Sequence, residues 1–377
     1  MSDSPIKQIF DYARWAPSGD NVQNWQFEFV NDLEAIIHGH DESDWLVYDK
    51  KGNASKLALG CLLETLEIAA LQQGFSTQIE LVENRFGKQP TDEAYSSHPT
   101  FKVNLSASEP AVQPLFSSIK TRTVQRKLMS RSGLSPLDKQ ALEQSLPTGY
   151  SVIWLDSVDD KKQIAKLMYG NATTRYLMRE GYDTHSRIIE FTAKKNDGSP
   201  NQLANSEFSK NKIPAKALGL DPLTVIMMEW VLASWDRFHF VATYLAGTVW
   251  PKLIMDYMTA ICCGTHFVII AEQEPKTLED YVNAGRAVQR FWLQSDIVQL
   301  GFQPEQTPII FSEYIRDGVS FTTDVKANTN AQKMDTELKQ MLGVDTVNRA
   351  VFMGRLGHSN PVQYRSVRKS LEELEIK

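Results

Sequence analysis

Ala13-Arg14-Trp15-Ala16-Pro17-Ser18-Gly19-Asp20-Asn21-Val22-Gln23-Asn24-Trp25 joins a helical pattern to an extended one through a polar turn. Upstream, Ile6, Ile9, Phe10 and Ala13 recur at helical spacing and predict a helix over Ile6–Ala16. Pro17 ends that pattern, because the residue before a proline is pushed out of the α region. Ser18, Gly19, Asp20 and Asn21 bring short polar side chains and a permissive backbone. Gln23, Trp25 and Phe27 then alternate into a strand, Trp25–Asn31. Small polar groups between two rigid elements suit reading the edge of a planar ring by backbone and amide hydrogen bonds. An ordinary helix–strand connection accounts for the same residues.

Working outward, the first half continues as a hairpin partner at Glu34–Gly39 and a long helix from Ala54 to Gln73. Leu57, Cys61, Leu62, Leu66 and Ala69 give that helix a broad apolar stripe, and Gly74 is placed to cap it. Its length and apolarity predict a central helix packed on both sides. Strands are predicted at Ser76–Val82 and Thr100–Leu105. The polar span Ser106–Pro114, with two prolines, marks the boundary between residues 1–113 and 114–377.

The second half is expected to open with a helix over Ile119–Lys127. Ser135-Pro136 starts another, in the N-cap plus proline manner. Val152–Leu155 reads as a strand, and Asn171 to Met258 as a long helical insertion containing Met227, Met228, Trp230, Trp235 and Trp250. The continuous apolar run His266–Ala271 predicts a central strand. A helix over Tyr281–Gln299, an extended segment at Thr307–Tyr314 and a last strand at Val351–Arg355 complete the order. Both halves run helix, strand, long helix, strand, an order that an old duplication would leave.

The 377 residues, 42% hydrophobic and 23% charged, are those of a globular protein with an ample core. A net charge of −6 argues against nucleic acid or an anionic membrane surface as partner. The longest apolar region, Phe240 to Met258, is interrupted by Pro251, Lys252 and Asp256, so no membrane span is expected. The start, Met1-Ser2-Asp3-Ser4-Pro5, has no basic n-region or apolar h-region; no export signal and a cytoplasmic location are expected. Cys61, Cys262 and Cys263 lack zinc or disulfide spacing and read as small buried hydrophobes. Seven histidines form no metal pattern, His38 and His40 reading as surface residues, and no metal site is predicted. G-x-G-x-x-G and P-loop patterns are absent.

Charge gathers locally nonetheless. Arg122 and Arg126 stand four apart with Thr123 between them and Lys127 adjacent, which suits a monophosphate clamp, since Arg binds phosphate bidentately. A solvated basic face is the competing explanation. Near the chain's end Arg355, Arg365, Arg368 and Lys369 add more positive charge.

The turn resembles the "A-R-W-A-P-S-x-x-N-x-Q-P-W-x-F" signature of FMN-dependent nitroreductases, departing at Asn24, where the family has proline and where a slightly looser turn is expected. The resemblance implies that Pro17, Ser18 and Asn21 contact FMN. Thr121–Lys127 is similar to the family's "R-R-S-x-R" phosphate segment in two registers one residue apart. In each an arginine is replaced, by Thr121 or by Gln125. The resemblance gives Arg122, Thr123, Arg126, Arg365 and Arg368 to the phosphate. It gives Pro304 and Glu305 to a loop whose backbone N–H faces flavin N5; a plain surface turn is the alternative there.

The order of motifs is reversed relative to ordinary nitroreductases, since here the turn precedes the phosphate segment. Each half supplies what the other lacks. This resembles the single-chain, Acg-like branch of the family and the nitroreductase-like domains associated with ThiF-type adenylating enzymes. Counterparts extend through Asp44-Trp45 to Gly74, Asp197-Gly198 with Ala217-Leu218-Gly219-Leu220, Ala284–Arg290 and Gly301–Pro304. The resemblance implies an α+β nitroreductase-like fold. Two similar halves would form an intramolecular pseudo-dimer around one FMN, with a lid-like insertion at about 171–258, the chain being monomeric or a homodimer.

The function expected is an FMN-dependent oxidoreductase passing hydride from NAD(P)H to an unknown organic acceptor. No catalytic side chain is assigned, because the flavin performs the redox chemistry. The alternative is a flavin-sequestering protein whose Trp230, Trp235 and Trp250 fill the pocket. A modifying enzyme acting on an adenylated or peptide-linked substrate is a third reading, suggested by the ThiF association.

Overall fold

The computed structural model describes residues 4–82, 98–191, 210–244 and 247–376. Asp197-Gly198 lies outside them. Helix α1 (Pro5–Ala13) leads through the Pro17–Asn21 turn to β1 (Trp25–Asn31), β2 (Glu34–Gly39) and the long helix α2 (Asn53–Gln72). Strands β3 (Phe75–Val82) and β4 (Thr100–Ala107) finish an antiparallel sheet of order β1-β2-β4-β3. After α3 (Pro136–Ser145) and β5 (Tyr150–Leu155) comes a helical region. It holds α4 (Val158–Leu177), α5 (Arg179–Ile188), a two-residue ribbon of β6 (Ile189–Glu190) with β7 (Ile213–Pro214), α6 (Pro222–Leu232), α7 (Trp235–Tyr244) and a π-helical stretch, Lys252–Met258.

Strand β8 (Thr265–Ala271), α8 (Leu278–Ile297), β9 (Gly301–Pro304), α9 (Thr307–Asp317), α10 (Val325–Leu342), α11 (Val344–Arg349) and β10 (Ala350–Gly357) follow. The second sheet is antiparallel, of order β5-β8-β10-β9. Strand β8 lies between two neighbours with nearly every residue buried, as its unbroken apolar run predicts. The chain then crosses back to the first sheet. A last turn, α12 (Leu371–Leu374), precedes a bridge of Glu375 to Phe27, and Ile376 N donates to Phe27 O at 2.8 Å.

One apolar core runs through both sheets, from Phe10, Phe27 and Leu62 to Phe267, Phe291 and Phe302. Its axis is the crossing of α2 and α8. A Cβ built on Gly60 would stand 2.0 Å from Val282 O, and one on Gly285 would stand 2.0 Å from Leu57 O. The two backbones therefore touch, which only glycine allows. Polar ties flank the crossing: Gln289 Nε2 donates to Thr65 Oγ1 at 2.8 Å, and Arg290 Nη1 to Glu64 Oε1 at 2.8 Å.

Three expectations are corrected. No helix forms over Ile119–Lys127; beyond the short turn Pro114–Ser118 this segment is irregular. Thr121, Thr123 and Val124 are β-branched, and the backbone pairs elsewhere, Gln125 N with Phe302 O and Met129 N with Cys262 O. Thr307–Tyr314 is helical, with Pro308 in the first turn and Gly318 in the left-handed conformation at the end. His38 is buried, its Nε2 lying 3.1 Å from Glu28 Oε2.

Candidate functional site

The Pro17–Asn21 turn is strained where it meets open space. Asp20, Asn21 and Gln23 have φ of 48°, 64° and 54°. Left-handed backbone is tolerable for Asn and Asp and costly for Gln, and such strain persists where surrounding contacts over-determine it. Those contacts are explicit. Ser18 Oγ accepts from Gln23 N at 2.9 Å, and Gln23 Oε1 accepts from Lys369 N at 2.8 Å. Asn24, which stands where the resemblance has proline, is itself tied down: its amide donates to His40 O at 2.8 Å and Ser55 O at 3.2 Å.

The turn lines a cavity of about 1090 Å³. Arg122, Thr123 and Arg126 line it too, as do Pro304 and Glu305 from the β9–α9 corner and Arg365 and Arg368 from the returning C-terminal segment. The helical region supplies an apolar wall that includes Met168, Met227, Met228, Met255 and Met258. Pro17, Ser18, Asn21, Arg122, Thr123, Arg126, Pro304, Glu305, Arg365 and Arg368 thus face one space, although they come from four separate segments.

At one end the arginines crowd. Arg122, 3% exposed, lies 4.3 Å over the Trp292 ring and donates from Nη2 to Trp15 O at 3.1 Å. Arg365 lies 4.6 Å over Trp15 and donates to Lys120 O at 2.6 Å. Arg368 donates to Asn21 Oδ1. Among the described residues no carboxylate pairs with any of the three, and the Nε atoms of Arg122 and Arg368 are buried without a partner. Burial, with Arg365 beside it, pulls Arg122 down to about 10. Burial and the cations Arg122, Arg365 and Arg14 hold Arg368 well below the usual guanidinium range. Guanidinium stays charged in proteins, so the crowding is a standing cost that an anion relieves. The Nε donors of Arg122 and Arg368 without a protein acceptor, beside three cations without a carboxylate, make this end fit a phosphate.

The other predicted residues hold more specific places. Asn21 spends its amide on the protein, Nδ2 donating to Val367 O at 2.9 Å and to Lys210 O and Lys212 O at 3.1 Å. It positions the C-terminal segment. Ser18 keeps a hydroxyl proton with no acceptor among the described residues. Arg126 donates to Ala217 O at 3.1 Å, and Gln125 ties to Asn360 O at 2.9 Å.

Glu305 is spent internally. Its Oε2 lies 2.7 Å from His266 Nδ1 and its Oε1 3.5 Å from Arg355 Nε, while His266 Nε2 donates to Ala260 O at 2.9 Å. Burial alone disfavours the imidazolium; Glu305 outweighs it and raises His266 to about 10. The backbone N–H expected to face the cavity is not that of Glu305, which goes to Met353 O at 2.8 Å, and Pro304 has none. Gln306 and Thr307, which also line the cavity, carry the N–H groups without a protein acceptor among the described residues.

Sequence reasoning missed a second polar cluster on the cavity wall. Arg175 Nη2 meets Asp256 Oδ1 at 2.5 Å, and Tyr48 OH stands 3.3 Å from His185 Nε2. Burial and Arg175 push His185 down to about 3, so the ring is neutral. Asp20, which also lines the cavity, is raised to about 6 by burial, Arg126 and Arg175 pulling the other way. No signal marked Arg175 and Asp256, which are 81 residues apart.

The tryptophans expected to plug the cavity do not line it. Trp230 and Trp250 are 56% and 59% exposed, and Trp235 stacks 5.9 Å from Phe238. Among the described residues no cluster of three His, Cys, Asp or Glu is disposed to hold a metal. No described helix is long and apolar enough to cross a membrane.

No family model and no curated protein matches this chain. Solved structures similar to it include a nitroreductase-like family protein from Bacillus cereus, at TM-score 0.33 and 10% identity over 70% of this chain and 95% of that one. Another is a mutant of the FMN and NADPH-dependent nitroreductase NfnB derived from sphigopyxis sp. strain HMH, at TM-score 0.32 and 14% identity over 69% and 96%. Likeness at this level carries no activity over to this chain.

Proposed function

We propose that this protein is an FMN-dependent oxidoreductase that takes hydride from NAD(P)H and delivers it to an organic acceptor. One observation carries the reading: three crowded arginines, two with orphaned buried Nε atoms, share a cavity with a strained polar turn. Arg122, Arg365 and Arg368 hold the phosphate; Ser18 and the N–H groups of Gln306 and Thr307 contact the ring system. Bound FMN supplies the hydride-accepting ring. The protein binds and orients it, and the methionine-rich wall gives an apolar lining to the chamber where an acceptor lies.

The reading includes two nitroreductase-like halves, 1–113 and 114–377, acting as a pseudo-dimer around one site, with the helical insertion at 171–258 as a lid. The repeated four-stranded sheets and the glycine crossing of α2 and α8 support it. Flavin sequestration needs the insertion's tryptophans over the ring, and the exposure of Trp230 and Trp250 favours an enzyme instead.

The test is direct. Protein purified after flavin supplementation should show flavin absorbance, bleached anaerobically by NADH or NADPH. Bound flavin that only dithionite reduces would return the reading to sequestration, and protein that takes up no flavin would refute both.

A further inference from the structure

A second part of the cavity wall has an unfilled hydrogen-bonding pair of its own. Asp256 comes from the π-helical stretch Lys252–Met258, a rare backbone form that is frequent at functional sites. Its Oδ1 meets Arg175 Nη2 at 2.5 Å. A guanidinium and a carboxylate side by side ordinarily close two parallel bonds. Here only one is made: Arg175 Nε and Asp256 Oδ2 are both buried and without a partner. Asp256 is 7% exposed, and both residues line the cavity. Each orphaned group is a standing cost until something satisfies it.

The chemistry of the missing partner follows from polarity. It offers an acceptor to Arg175 and, beside it, a donor to Asp256. A carboxylate would face Asp256, and an ammonium would face Arg175. The charge of Arg175 is already met, unlike that of Arg122, Arg365 and Arg368, so an anionic group goes to those three. Tyr48, Tyr176 and a neutral His185 line the same wall and suit a flat group.

We infer that Arg175 and Asp256 form a subsite that reads an amide edge, Arg175 Nε donating to the C=O and Asp256 Oδ2 accepting from the N–H. The edge is supplied either by the imide of the flavin ring or by a carboxamide on a second molecule. The inference rests on the proposed function only in taking the cavity as a ligand site.

Calorimetry on the full chain, FMN-free and FMN-loaded, with benzamide, N,N-dimethylbenzamide and benzoate tests it. Dimethylation removes the N–H, and a site built to hydrogen-bond a group rejects the analogue lacking it. Benzamide preferred at least tenfold by the loaded protein assigns the subsite to a second molecule. Preference by the FMN-free protein alone, with riboflavin binding weakened at least tenfold by Arg175→Met/Asp256→Leu, assigns it to the flavin. That pair of substitutions leaves no buried charge unpaired. Should it not fold, Arg175→Lys keeps the ion pair, lacks the Nε–H that meets the C=O and must weaken benzamide binding at least tenfold. Equal affinity for benzamide and its dimethyl analogue in both forms, with riboflavin affinity unchanged, overturns the inference. The FMN-free arm stands even if the chain binds no flavin.

Discussion

Gly60 and Gly285 face each other across the crossing of the two long helices so closely that a Cβ on Gly60 would lie 2.8 Å from Gly285 Cα. The obstacle is backbone, which cannot rotate away as a side chain can. Gly60→Ala is therefore expected to destabilise by about 3 kcal/mol or more, at the upper end of overpacking costs. Gly170 lies in α4 with nothing within 4 Å of its would-be Cβ. Gly170→Ala should stabilise by roughly 0.5–1 kcal/mol. Urea unfolding of the two variants decides the matter, and equal effects would contradict the helix crossing.

The arginine end makes a prediction with two signs. Arg122→Ala and Arg368→Ala each remove a donor from the phosphate, and a hydrogen bond to a charged group is worth about 1.5–3 kcal/mol. FMN affinity should fall about ten- to a hundredfold in each. The ligand-free protein should lose little stability or gain some, because a crowded cation leaves. Fluorescence titration of FMN and thermal unfolding of the FMN-free variants read the two signs. A variant that keeps its FMN affinity removes that arginine from the phosphate site.

Much of this was legible in the sequence, and the exceptions have physical reasons. Period and punctuation placed β1, β2, α2 and the central strand β8, because each is decided by local pattern and burial. The Thr307 segment is helical although an extended one is expected, since a proline in the first turn starts a helix as readily as it breaks a strand. Arg122 and Arg126 look helical by spacing, yet their segment takes its backbone partners from Phe302 and Cys262, which are remote in the chain. Helix α10 went unread despite Asp324 at its N-cap and Ala327, Ala331, Met334 and Leu338 at helical spacing. The candidate residues were reachable through motifs. The pairs Arg175–Asp256 and His266–Glu305 were not, for each joins two segments whose sequences say nothing of one another.

Asp20 gives a pH dependence. Its carboxyl ionises near 3.8 when unfolded and at about 6 in the cavity. Between these values the unfolded chain holds fewer protons, so stability falls as pH rises from 4 to 6, and the loss persists above. Asp20→Asn cannot ionise, and Asn accepts the φ of 48° at least as well. The backbone benefit is independent of pH; the electrostatic benefit is not. The stability gain of Asp20→Asn over the unmodified, ligand-free protein should therefore be small at pH 4 and larger at pH 7.5. A gain equal at both values would mean that Asp20 ionises in the folded protein as it does in solution.

His266 gives the opposite sign. Its folded value of about 10 stands above the 6.5 of an unconstrained imidazole, because Glu305 holds the proton on a fully buried ring. The stabilisation is complete below pH 6.5 and is lost as pH rises through 10. Glu305→Gln removes the carboxylate and leaves the ring with no reason to stay charged. Losing one partner of a buried pair costs about 3–5 kcal/mol at neutral pH. The gap in stability between the unmodified protein and Glu305→Gln should accordingly narrow as pH rises from 6.5 to 10. Denaturant titrations across that range measure the gap directly. A gap that stays constant to pH 10 would show that the Glu305–His266 contact is an ordinary hydrogen bond to a neutral ring.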